Sequence, residues 1–173
     1  MGASVNDDRR QENNREYLDH WSRPLPFRFR FSEVIGKVIR LSDGFNSIWR
    51  LDPRDGGWSR DDDLAGIFDV EYDIGVLSPG PFVDYVETAR AAAGVGDGRL
   101  RELYEDLLAN YAELRDARPA GGPLVDLLHR RQELQLTTYR MFENELNRRG
   151  HPAAEPWVAD LAERDPNWAL RPC

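Results

Sequence analysis

The chain has 173 residues, with 31 Asp and Glu against 23 Lys and Arg, a formal net charge of −8. That length is enough for one domain with a real core and no metal or disulfide support. The acidic balance argues against non-specific nucleic-acid binding, which needs cations on phosphates, and against docking on anionic membranes. Neither nucleic acid nor membrane is therefore expected as a partner.

Lys37 is the single lysine among the basic residues. This arginine bias is expected from GC-rich coding rather than mechanism, and any Schiff-base or lysine-base chemistry would have to use Lys37. Cys173, the last residue, is the single cysteine; no internal disulfide can form, and a reducing compartment fits. The first ten residues lack the apolar centre of a signal peptide. Met1-Gly2 opens like a myristoylation motif, but Asn6 stands where Ser or Thr is needed. No apolar run approaches a membrane span, so the cytoplasm is the expected location.

Taken in chain order, residues 1–14 are polar and charged and read as a disordered tail. Residues 15–164 read as a single helical domain and 165–173 as a C-terminal tail. One or two helical turns over 16–22 would present Tyr17, Leu18 and Trp21. Residues 27–31 alternate Phe-Arg-Phe-Arg-Phe, the period-two signature of a strand. Residues 68–76 alternate in the same way with an acidic polar face, so the two segments could pair with opposite charges adjacent. A helical face through Leu64, Ile67, Phe68 and Tyr72 competes with that strand.

Between them, Ser32 can cap a helix starting at Glu33. Val34, Ile35, Val38, Ile39, Phe45, Ile48 and Trp49 hold helical spacing there, with a kink or break at 42–44. Residues 52–63 form an acidic, glycine-containing loop. Pro81 suits the first turn of a helix whose face is Phe82, Val86, Ala89 and Ala93. The firmest elements follow. Leu100, Leu103, Tyr104, Leu107, Leu108, Tyr111 and Leu114 lie on one helical face, and Leu124, Leu127, Leu128, Leu134, Met141, Phe142 and Leu146 on another. The break at 119–123 joins them as an antiparallel αα-hairpin. A short helix after Pro156 closes the chain. The fold class expected is mostly α: a helical bundle on this C-terminal hairpin, with a small two-stranded β element from 27–31 and 68–76.

Few constellations carry chemistry. The five carboxylates of 52–63 lack the alternating spacing of a calcium loop, because Arg54 and Gly56 interrupt it. His129 and Glu133 stand one helical turn apart, which suits an oriented acid/base. The matching motifs of helical dimetal sites are missing, so neither metal nor cofactor is expected. Arg131 interrupts the apolar stripe of its helix and so asks for a carboxylate or a bound anion. Trp58, in a polar loop after two glycines, is the candidate interface residue.

The leading functional expectation is a soluble bacterial protein-binding or regulatory accessory protein that acts through a partner. The alternative is a small helical enzyme of specialised metabolism taking a small anionic ligand. Its polar pocket would lie around Arg131 and His129, with Tyr139 binding ligand and His129, Glu133 and Tyr104 as catalytic candidates.

Overall fold

The computed structural model describes residues 5–68, 74–120, 124–165 and 168. Contacts divide the chain into two compact units where the sequence reading has one domain. The first takes the residues up to Leu51 together with Trp58–Leu77; the second takes Asp52–Gly57 and the residues from Ser78 onward.

In the first unit, α1 (Val5–Asp19) precedes strands β1 (Phe27–Phe31), β2 (Val34–Arg40), β3 (Asn46–Leu51) and β4 (Trp58–Arg60). A 3-10 helix (Asp62–Phe68) and the short β5 (Gly75–Val76) complete it. The strands form one antiparallel sheet in the order β4-β3-β2-β1-β5. The mostly-α expectation with a two-stranded β element is therefore corrected: the sheet has five strands, and the segment read as a helix from Glu33 supplies two of them. α1 begins inside the segment read as a disordered tail, and its Leu18 is buried.

The physical reason for the correction lies in turns and burial. Ser32 and Glu33 make a two-residue turn between the paired Phe31 and Val34, with Ser32 at φ 51. Such a left-handed residue matches the twist of a tight hairpin. The next turn runs through Asp43, which accepts a hydrogen bond from the Phe45 amide, and Gly44 at φ 88. The intervening residues are rich in β-branched types that fit a pleated surface. Ile35 through Ile39 are buried without interruption, so period-two alternation disappears. Apolar residues at 34, 35, 38 and 39 then imitate the spacing of a helix.

Among the described residues, the expected pairing of 27–31 with 68–76 is present where Arg30 faces Gly75 and Phe29 faces Val76. The long partner of β1 is β2. Phe68 ends the 3-10 helix; Asp69, Glu71 and Asp73, the expected ion partners of Arg28 and Arg30, lie outside the described residues. The core of this unit gathers Phe27, Phe29, Val38 and Ile48 with Leu18, Ala65 and Phe68. A Cβ at Gly36 would stand 2.5 Å from the Phe29 ring, so the ring lies directly on backbone there.

In the second unit, α2 (Pro79–Ala93), α3 (Gly98–Ala120), α4 (Leu124–Arg148) and α5 (Val158–Glu163) pack together. Gly94, in the left-handed region at φ 64, ends α2. α3 and α4 run antiparallel. Glu113 meets Arg130 at 3.7 Å and Asn110 Nδ2 donates to the Leu127 carbonyl at 3.1 Å, while Tyr104 and Phe142 share one apolar cluster further along. Leu103 and Leu107 are buried, Leu107 in that cluster. Trp168 lies against Gly80, where a Cβ would come within 2.3 Å of the indole. Among the described residues, no helix is long and apolar enough to cross a membrane.

Candidate functional site

Polar chemistry inside the second unit centres on Arg90. Val83, Val86, Glu87 and Arg90 lie at the i, i+3, i+4, i+7 spacing of one helical face, and α2 carries all four into the interior. Arg90 Nη1 donates to Glu87 Oε1 at 2.9 Å and Nη2 to Glu143 Oε1 at 2.6 Å. Its Nε donates to the Gly56 carbonyl at 2.8 Å. Tyr104 donates to the other Glu87 oxygen at 2.9 Å, and the Glu155 amide to the other Glu143 oxygen at 2.8 Å. The ring of Phe142 lies 3.8 Å from the guanidinium carbon.

Arg90, Glu87 and Glu143 are completely buried. Burial holds the Glu87 carboxyl above its ordinary range, against the pull of Arg90. Burial alone would lower the Arg90 pKa, but Glu143 and Glu87 raise it. Burial, and then Glu87, pushes the Tyr104 phenol far up. In this ion triad a guanidinium tied to carboxylates of α2 and α4 and to the Gly56 carbonyl links the two helices, and losing the cation would leave buried charge uncompensated. Sequence reasoning missed it by reading the α2 face through Phe82, Val86, Ala89 and Ala93. Glu87 and Arg90 sit on the Val83–Val86 stripe, and that spacing was the available signal.

The residues expected to line a catalytic or ligand pocket do not converge. Tyr104 belongs to the triad, and Tyr139 is buried with its ring 5.6 Å from the Arg90 guanidinium carbon. His129 and Glu133 are exposed. Arg131 is half-buried and borders a cavity of about 250 Å³ with Tyr111, Leu114 and Arg115. Tyr111, pushed up to about 12 chiefly by burial, shares hydrogen bonds with Thr88 and Gln135 at 2.8 Å each. Trp58, the expected interface residue, is 4 % exposed; its ring holds the Lys37 ammonium 4.0 Å from its centroid. The indole is thus turned into the first unit rather than toward solvent.

A wider opening lies in the first unit. A cleft of about 800 Å³ runs between α1, the β2–β3 turn and the start of the 3-10 helix. Glu12, Asp19, Asp43, Asp61, Asp62 and Asp63 line it. Three of these are occupied. Asp62 accepts from Ser47 Oγ, the Ile48 amide and Arg60. Asp61 pairs with Arg50 at 3.1 Å, and Asp63 accepts from Asn14 at 3.0 Å. Glu12, Asp19 and Asp43 have no cationic partner among the described residues. Phe45, 41 % exposed, stands among them with the Arg15 guanidinium 5.0 Å over its ring. The cleft combines uncompensated negative charge with an aromatic face already carrying a cation, an arrangement suited to basic side chains. No protein-family model, no curated protein and no solved structure matches this chain.

Proposed function

We propose that this is a cytoplasmic accessory protein that acts through a basic protein partner, held in the acidic cleft of the first unit. The observation that carries the reading is the set of uncompensated carboxylates Glu12, Asp19 and Asp43 around the exposed ring of Phe45. Such a surface accelerates encounter with a cationic segment and selects against acidic ones. The enzyme alternative has weaker support. His129 and Glu133 stand in solvent, and the cavity at Arg131, about 250 Å³, is smaller than the roughly 300–1,000 Å³ of ordinary ligand pockets.

Fluorescence anisotropy with a labelled arginine-rich peptide tests the proposal. Binding is expected to weaken with salt, because surface charges are screened within about 8 Å at physiological ionic strength. Asp19→Lys with Asp43→Lys is expected to lower affinity about tenfold or more, the ~1.4 kcal/mol scale of two lost charge contacts. Equal binding by the double variant, or of an acidic control peptide, would overturn it.

A further inference from the structure

Three aromatic rings of the first unit meet around one guanidinium. Trp21 and Phe27 have centroids 5.3 Å apart at 67°, Trp21 and Phe68 5.1 Å apart at 86°, and Phe27 and Phe68 6.0 Å apart at 75°. Rings so nearly perpendicular to one another form the corner of a box. The Arg23 guanidinium carbon lies over all three, 5.7, 5.1 and 5.8 Å from the Trp21, Phe27 and Phe68 centroids. Phe27 and Phe68 belong to the buried core and each contacts Phe29, which fixes their planes. Tyr17 supports Trp21 at 6.1 Å.

Arg23 itself is exposed and lies outside the sheet, just before Pro24. Among the described residues it has neither a carboxylate partner nor a hydrogen bond; the rings are its contacts. We infer that Trp21, Phe27 and Phe68 are a binding box for a weakly hydrated organic cation, a guanidinium or a quaternary ammonium, and that Arg23 is its resident stand-in. Ring faces attract such cations through their quadrupoles, and cages of this kind recognise methylated ammonium groups. Guanidinium, being weakly hydrated and planar, leaves water for a ring face at lower cost than a primary ammonium. The box is preorganised by the core, so an entering cation displaces only one surface side chain. It shares no residue with the acidic cleft, and the inference stands whether or not the cleft binds a partner.

Arg23 reduces the apparent affinity by the fraction of time it fills the box. The test titrates tetramethylammonium and N-methylguanidinium, with sodium as control, into the wild type and Arg23→Ala. The assigned indole resonance of Trp21 reports occupancy. Arg23→Ala is expected to bind both organic cations about tenfold more tightly than the wild type, with shifts confined to Trp21 among the five tryptophans. In the Arg23→Ala background, Trp21→Leu is expected to abolish binding, and Trp21→Phe, which keeps a ring face, to retain part of it. That retention separates loss of the box from loss of the fold. A trimethyllysine peptide binding more tightly than free tetramethylammonium would assign the cation to a protein side chain, and equal binding would assign it to a small molecule. No binding by Arg23→Ala at millimolar concentrations, or identical affinities with and without Arg23, would overturn the inference. The cleft variant Asp19→Lys/Asp43→Lys leaves the box intact, so the two sites fail separately.

Discussion

Arg90 in the helical unit and Arg23 in the sheet unit both lie over aromatic rings, yet their surroundings set opposite roles. Arg90 is completely buried, and its donors reach Glu87, Glu143 and the Gly56 carbonyl. Arg23 is exposed, and its rings are its contacts. A buried guanidinium loses its hydration and is stable only with close, well-aligned acceptors. An exposed one keeps most of its hydration and gains a modest attraction from the rings. The same side chain is thus a fixed strut in one place and a removable cover in the other. Burial together with paired carboxylates, and not proximity to rings, distinguishes the two.

The largest expected effect breaks the strut. Arg90→Met should destabilise the protein by roughly 3–5 kcal/mol, because Glu87 and Glu143 are left buried without their cation. Replacing both glutamates by glutamine in the same chain should restore much of that loss. Urea denaturation of the single and triple variants measures both. A single variant as stable as the wild type would mean that the triad contributes nothing.

A smaller effect follows from the raised pKa of Glu87. Its native pKa is raised above the ordinary 4.5 by burial, so the folded state holds this proton more tightly than the unfolded chain. The stability from this group is complete below the ordinary value and is lost as pH rises through the raised native value. Glu87→Gln should therefore flatten the decline in unfolding free energy on that rising limb, measured by denaturant titration at several pH values. An unchanged slope would show that Glu87 is ionised throughout.

The smallest effect sharpens the comparison from the other side. Arg23→Ala should cost no more than about 1 kcal/mol, the scale of an exposed cation–ring contact. A loss near that of Arg90→Met would make Arg23 a second strut and remove the contrast.

Legibility in the sequence followed the exposure of each element. The hairpin helices α3 and α4 cover the two apolar faces read from Leu100 to Leu114 and from Leu124 to Leu146. Each shows one face to the core and one to water, and the 3.6-residue period survives. β1 was legible because its residues alternate Phe and Arg at period two, although Arg28 is itself buried. β2 and β3 were not, because burial along nearly their whole length removes alternation. The turn at Ser32-Glu33 carried no glycine to announce a hairpin. Among candidate residues, Arg131 on the apolar stripe is half-buried, while His129 and Glu133 stand exposed and Trp58 is buried.

The sequence by itself determined the acidic charge, the αα-hairpin and the aromatic alternation of 27–31, since each depends on local composition or a single period. Tertiary structure decided the rest. It joined Arg90 to Glu143 across 53 residues of chain, set Trp21, Phe27 and Phe68 edge to face around Arg23, and folded β2 and β3 as strands where the spacing of apolar residues suggested a helix. Each outcome depends on which surfaces are covered by distant residues, and burial of that kind leaves no periodic mark in the covered segment.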